Sequence, residues 1–154
     1  MKLAEYIAPE LVFVAHEPDD KPSFIKELVV NVKKHLPDID DQTLLVRLLQ
    51  REDDVSTGIG RGVAIPHAAV DGIDKTWCVI TQIPKGLDFN SLDASPVHIT
   101  FLLISPTGRT GTHLRILARL ARLVSNEAFV SRIATAKEPS DIFALVKEED
   151  GRHV

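Results

Sequence analysis

The chain has 154 residues, a mass of 17.0 kDa, and 44% hydrophobic against 26% charged residues. That is ordinary composition for one globular domain, long enough to bury roughly 70% of its unfolded surface without staples. A net charge of −4 and a pI near 5.8 argue against an electrostatic nucleic-acid binder, which needs clustered positive charge. The lone cysteine, Cys78, forbids an internal disulfide and a cysteine-rich zinc site, and it fits a reducing compartment. Met1-Lys2-Leu3-Ala4-Glu5-Tyr6 lacks the apolar core of a signal peptide. No apolar run exceeds the five residues of Leu11 to Ala15, far short of the ~20 residues of a membrane helix. The expectation is a single cytoplasmic domain over 1–154, free of membrane insertion, with a polar tail over 147–154 that frays. His153 in that tail is expected to be exposed.

In chain order, Leu11-Val12-Phe13-Val14-Ala15 reads as a buried strand. Turn residues follow at Pro18, Asp19, Asp20 and Pro22. Ser23 caps a helix to about His35, with Phe24, Leu28 and Val32 on one face, and Pro37 ends it. Asp40 or Asp41 caps a second helix through about Glu52. Gly58 to His67 is a glycine-bearing turn that leads into a strand. Strands follow at Trp77–Ile83 and Val97–Ser105, then helices at about Thr112–Val124, Glu127–Ala136 and Ser140–Lys147. The order predicts an α/β fold, a layered sandwich whose central mixed β-sheet is flanked by helices.

Three polar residues fall where the pattern expects apolar ones. Leu44, Leu45, Leu48 and Leu49 make the stripe of the second helix, and Arg51 sits at its last inward turn. An arginine there also runs its stem along a core edge and favours the helix dipole. His67, in Val63-Ala64-Ile65-Pro66-His67, points the same way as Val63 and Ile65; Pro66 cannot donate to a ladder, so the strand is expected to stop there. Small Ala68 and Ala69 leave His67 little shielded. His113 opens a helix whose apolar face is Ile116, Leu117, Leu120, Leu123 and Val124, while Arg115, Arg119 and Arg122 take the solvated side. Each residue alone reads more simply as packing or capping. Together they are two histidines and an arginine directed inward at element ends. Neutral imidazole is a nucleophile near pH 7, since its ordinary pKa is about 6.5, and arginine forks onto phosphate.

Other chemistries find no support. There is no G-x-x-x-x-G-K-[ST] segment, and Gly58-Ile59-Gly60-Arg61-Gly62 is a tight turn rather than a dinucleotide fingerprint. No compact metal-ligand spacing occurs, so no metal or cofactor is expected. A two-histidine metal site on His67 and His113 stays open as an alternative, without an evident third ligand. Ser56 and Ser105 lack a G-x-S-x-G setting. His16, His35 and His98 read as surface or packing residues.

The segment from Arg51-Glu52-Asp53-Asp54-Val55-Ser56-Thr57-Gly58-Ile59-Gly60-Arg61-Gly62-Val63-Ala64-Ile65-Pro66-His67 resembles the phosphohistidine signature of enzyme IIA domains. These belong to the fructose–mannitol class of the bacterial phosphoenolpyruvate-dependent phosphotransferase system, which includes nitrogen-regulatory members. The resemblance continues through Leu87-Asp88-Phe89-Asn90-Ser91-Leu92-Asp93, Pro96-Val97 and Thr112-His113-Leu114-Arg115-Ile116-Leu117-Ala118-Arg119-Leu120, nearly the whole chain. Ala68 stands where most members carry Gly. The resemblance implies that His67 is the phosphorylated nucleophile, that Arg51 offsets phosphoryl charge, and that His113 donates a hydrogen bond to the phosphoryl group. Ser56 and Thr57 would line the pocket. It implies phosphorylated HPr, the general phosphocarrier, as donor, and a IIB domain or regulated target proteins as partners. The nitrogen-regulatory version is preferred over a fructose or mannitol transport IIA. A binding module that kept the fold without the chemistry is the further alternative.

Overall fold

The computed structural model describes residues 1–153, with Thr110 by its backbone alone. Val154, the end of the expected tail, lies outside the described residues. After two short 3-10 turns (Leu3–Tyr6 and Pro9–Leu11), the elements are β1 (Val12–Val14), α1 (Lys21–His35), α2 (Asp41–Asp54), β2 (Gly58–Gly60), β3 (Val63–Ala64), β4 (His67–Val70), β5 (Trp77–Leu87), β6 (Val97–Pro106), α3 (Thr110–Val124), α4 (Glu127–Thr135) and α5 (Pro139–Gly151).

The two long strands form the middle of the sheet. β5 and β6 pair antiparallel, from Trp77 opposite Ile104 to Leu87 opposite Val97. β1 lies parallel on the outer side of β5, and β3 and β4 both lie parallel on β6, with β2 antiparallel beyond β3. The sheet is therefore mixed, as the sequence led us to expect. Its central strands are apolar on both faces, so they read as continuous runs rather than alternating ones. The side-chain alternation sorts them. Val79, Leu102 and Ile104 face α1 and α2, in one core with Phe24, Leu28, Leu44 and Leu48. Ile80, Phe101 and Leu103 face the other way, in a second core with Ile116, Leu120, Phe129 and Ile142 of α3, α4 and α5. Each fully buried side chain of this size contributes about 1.5–3 kcal/mol.

Local chemistry sets the helix starts. Asp20, not Ser23, caps α1: its Oδ1 accepts the Ser23 N–H at 2.9 Å, and Pro22 occupies the first turn, where no donor is needed. Asp40 caps α2, accepting from the Thr43 N–H at 3.2 Å and the Thr43 hydroxyl at 2.7 Å.

The C-terminal segment departs from expectation. α5 continues to Gly151, and Glu149 and Asp150 are buried. The polar residues are ordered because they have partners far back in the chain. The Asp150 carboxylate accepts the N–H groups of Leu3 and Ala4 at 3.0 Å each. Arg119, assigned by helix arithmetic to the solvated side, is buried against it, with Nε 2.8 Å from Asp150 Oδ1. The same guanidinium donates to the Asp150 and His153 carbonyls at 2.8 and 3.0 Å. His153 is half-buried, its Nε2 2.9 Å from Glu149 Oε2. Arg119 thus meets the C-terminal end of α5, whereas Arg115 and Arg122 are exposed as expected.

Candidate functional site

Pro66 interrupts a strand instead of ending it. β3 and β4 hold one register on β6, with Val63 beside Ile99 and His67 beside Leu103. Pro66 offers no N–H to β6, but its carbonyl keeps the ladder in register by accepting the Leu103 N–H at 2.9 Å. His67 is thus the first residue of β4, fixed by sheet pairing on one side. Its side chain shares a face with Ala69. The chain leaves β6 at Pro106, turns, and starts α3 beside that face, which brings His113 in the first turn of α3 over His67.

The two imidazoles lie with ring centroids 4.7 Å apart, tilted by 59°. Together with Ala68, Ala69 and Ser105 they line a cavity of about 190 Å³. His67 Nδ1 lies 3.3 Å from the Ile65 carbonyl oxygen. A carbonyl only accepts, so this contact places the proton on Nδ1 and leaves the Nε2 lone pair of the neutral ring free. Burial, and then the neighbouring His67, hold the His113 pKa below its ordinary 6.5. His113 is therefore neutral at pH 7, with one N–H to offer. Because the folded state disfavours its protonation, this group withdraws stability as the pH falls below about 6.5. A dianionic group beside it reverses the sign of the electrostatic influence. Titration followed by imidazole NMR should give a His113 midpoint below 6.5 in the free protein and a higher one when His67 carries phosphate. An unchanged midpoint would contradict this.

The structure brings His67 and His113 together but sets the other sequence candidates apart from the cavity lining. Arg51 closes α2, its Nη1 2.6 Å from the Val55 carbonyl oxygen. Ser56 donates to the Phe89 carbonyl and accepts the Gly58 N–H at 3.0 Å. Thr57 is buried, its hydroxyl and N–H both on the Glu52 carboxylate. Glu52 is itself paired with Lys21 at 2.9 Å, with its side chain 4% exposed. Ser56 and Thr57 therefore anchor the segment between Arg51 and β2.

The sequence reading gave Glu52 and Arg47 no role here, and it weighed Ser105 only as a nucleophile. Glu52 is the hub of that anchor. Arg47, one turn before Arg51, reaches the carbonyl of the cavity residue Ala69. Ser105 lies beside Ala69 on β6 and is 3% exposed. A lone hydroxyl closing the apolar run Phe101-Leu102-Leu103-Ile104 was the available signal for it. Among the described residues, no group of three or more His, Cys, Asp or Glu is placed to hold a metal ion.

The site thus sits in a mixed sheet between helix layers, with two facing histidines at a strand start and a helix start. The chain belongs to the family "Phosphoenolpyruvate-dependent sugar phosphotransferase system, EIIA 2", which matches residues 5–149. It is a IIA-type phosphoryl-transfer protein of that system. It is 30% identical over 146 residues to a nitrogen regulatory protein of Bradyrhizobium diazoefficiens, covering 95% of each chain. It is also 30% identical over 150 residues to the fructose-specific EIIABC component of Bacillus subtilis, covering 97% of this chain and 24% of that protein. In three dimensions it is similar to the nitrogen regulatory protein IIA-Ntr of Neisseria meningitidis, with a TM-score of 0.84, 24% identity, and 94% and 98% of the two chains covered. At that identity the likeness is one of fold.

Proposed function

We propose that His67 carries the phosphoryl group, taking it from phosphorylated HPr. The observation that supports this best is the His67–His113 pair across one small cavity, with His67 Nδ1 on the Ile65 carbonyl and no hydrogen bond at Nε2 among the described residues. Nε2 attacks phosphorus in line. The donor's P–N bond breaks with its electron pair going to the departing imidazole, and a new N–P bond forms on His67. Such transfers depend on positioning and on charge stabilisation. His113 donates its N–H to a phosphoryl oxygen. Arg51 exchanges the neutral Val55 carbonyl for the phosphoryl group, a trade that favours the ion because charge-assisted hydrogen bonds are roughly twice as strong. Arg47 adds positive potential at the cavity wall.

Once loaded, the protein passes its phosphate to a IIB domain or holds it as a signal read by target proteins. The regulatory reading is favoured because two relatives similar over 146 residues, 30% and 27% identical, are nitrogen regulatory proteins. The transport reading keeps a place through the fructose-specific relative, whose chain carries EIIA, B and C together. Either role puts the protein in the cytoplasm beside HPr. Among the described residues no helix is long and apolar enough to cross a membrane.

The test is incubation with phosphoenolpyruvate, enzyme I and HPr, followed by mapping of the acid-labile phosphate by mass spectrometry at neutral pH. Phosphate on His67 is expected. Phosphate confined to another residue, or none, would overturn the proposal. Adding a fructose-type IIB to the loaded protein then separates the two roles: rapid discharge marks a transport IIA, retention a regulatory one.

A further inference from the structure

We propose that Ser105 is a hydrogen-bond donor to the phosphoryl group on His67, an assignment that rests on His67 being the phosphorylated residue. Ser105 belongs to β6, directly beside Ala69 of β4, and β6 and β4 run parallel with His67 next to Leu103. Residues 103 and 105 share a face of β6, so the Ser105 hydroxyl is on the same side of the sheet as the His67 ring. It lines the 190 Å³ cavity with His67 and His113.

The proton count points the hydroxyl into that cavity. Thr76 and Ser105 are both 3% exposed. Their two hydroxyls share one hydrogen bond, in which Thr76 Oγ1 donates to Ser105 Oγ at 3.2 Å. Two hydroxyls bring two protons, and this bond uses one. Thr76 does not line the cavity and Ser105 does. With Thr76 as donor, the remaining proton is the one on Ser105, and its open direction is the cavity. The reverse arrangement would strand the Thr76 proton in the interior, which is costly. The bond therefore fixes the direction of the Ser105 donor before any phosphate arrives, and a donor oriented in advance costs no reorganisation during transfer. Phosphoryl oxygens need several donors. His113 offers one while it is neutral, and Ser105 offers another that does not depend on pH.

Ser105→Ala and Thr76→Val separate this role from a structural one. Both remove the same 3.2 Å hydrogen bond, but only the first removes the donor. With the complete chain, phosphoenolpyruvate, enzyme I and HPr, Ser105→Ala should load His67 about tenfold more slowly, the effect of losing one neutral hydrogen bond. Its phosphohistidine ³¹P resonance should also move. Thr76→Val keeps the donor and loses only its preset direction, so it should load faster than Ser105→Ala and shift the resonance less. Wild-type loading by Ser105→Ala, or equal slowing in both variants, would overturn the assignment alone. A wild-type protein that takes no phosphate on His67 would overturn the underlying reading, and this assignment with it.

Discussion

His67→Gln should abolish acid-labile phosphate uptake altogether, while His113→Ala should retain it at a rate lower by about a hundredfold. The two outcomes differ because the two imidazoles have different tasks. Glutamine keeps much of the shape and polarity of histidine, but its amide nitrogen has no available lone pair, so no N–P bond forms. His113 makes and breaks no bond with phosphorus. Its loss removes one preorganised donor from a partly buried site, a change that commonly lowers rates by about 10²–10³. His113→Gln restores an N–H and should recover part of the loss. Rates of label uptake from phosphorylated HPr, read in the first seconds, distinguish these cases. Equal, complete loss in both variants would assign the two rings a joint covalent role. Full activity in His113→Ala would remove it from the mechanism.

Arg119→Ala should destabilise the protein by about 3–5 kcal/mol, the cost of leaving a buried carboxylate without its cation. For a chain of this length that is a fall in melting temperature on the order of 10 °C. Asp150 is 1% exposed, and its carboxylate is satisfied by the Leu3 and Ala4 N–H groups together with Arg119. Burial alone would raise its pKa, but the hydrogen bonds from Ala4, Leu3 and Arg119 outweigh burial and hold it below the usual 3.8. A carboxylate with a depressed pKa contributes stability that is complete above its unfolded pKa and is lost as the pH falls through the folded one. The wild-type protein should therefore lose this contribution only below about pH 4, and Asp150→Asn should flatten that part of the acid limb. Thermal melts of both variants across pH 2–7 check the pair. A change under about 1 kcal/mol for Arg119→Ala would show that the network is replaceable.

The parts of this fold legible in the sequence are those whose signal is local. The spacing of Leu44 and Leu48, the acid before α2, and the stripe running from His113 through Ile116 and Leu120 each report a helix and its inward face within a few turns. That is why His67 and His113 stood out. What escaped the reading depends on partners distant in the chain. β3 has two residues and β4 four, too few for a period to register, and both owe their conformation to β6. Glu149 and Asp150 look like a solvated tail until Leu3, Ala4 and Arg119 are brought beside them. Arg47 resembles any exposed helix cation, and only the fold takes it to Ala69. Arg51 is placed on the right helix by its spacing, but its guanidinium rests on the backbone of its own helix end.

The contacts of Lys2 have a consequence for how this unit can be rearranged. Its ammonium donates to the carbonyls of Asp150 and His153, so both described ends of the chain meet at one corner. A polypeptide that enters and exits at the same point can be spliced into a longer chain with little disturbance to its host. It can also be re-ordered. A circular permutant that joins the old ends by a short glycine–serine linker, with new ends opened in the exposed stretch around Asp19, should keep both cores and the two facing imidazoles.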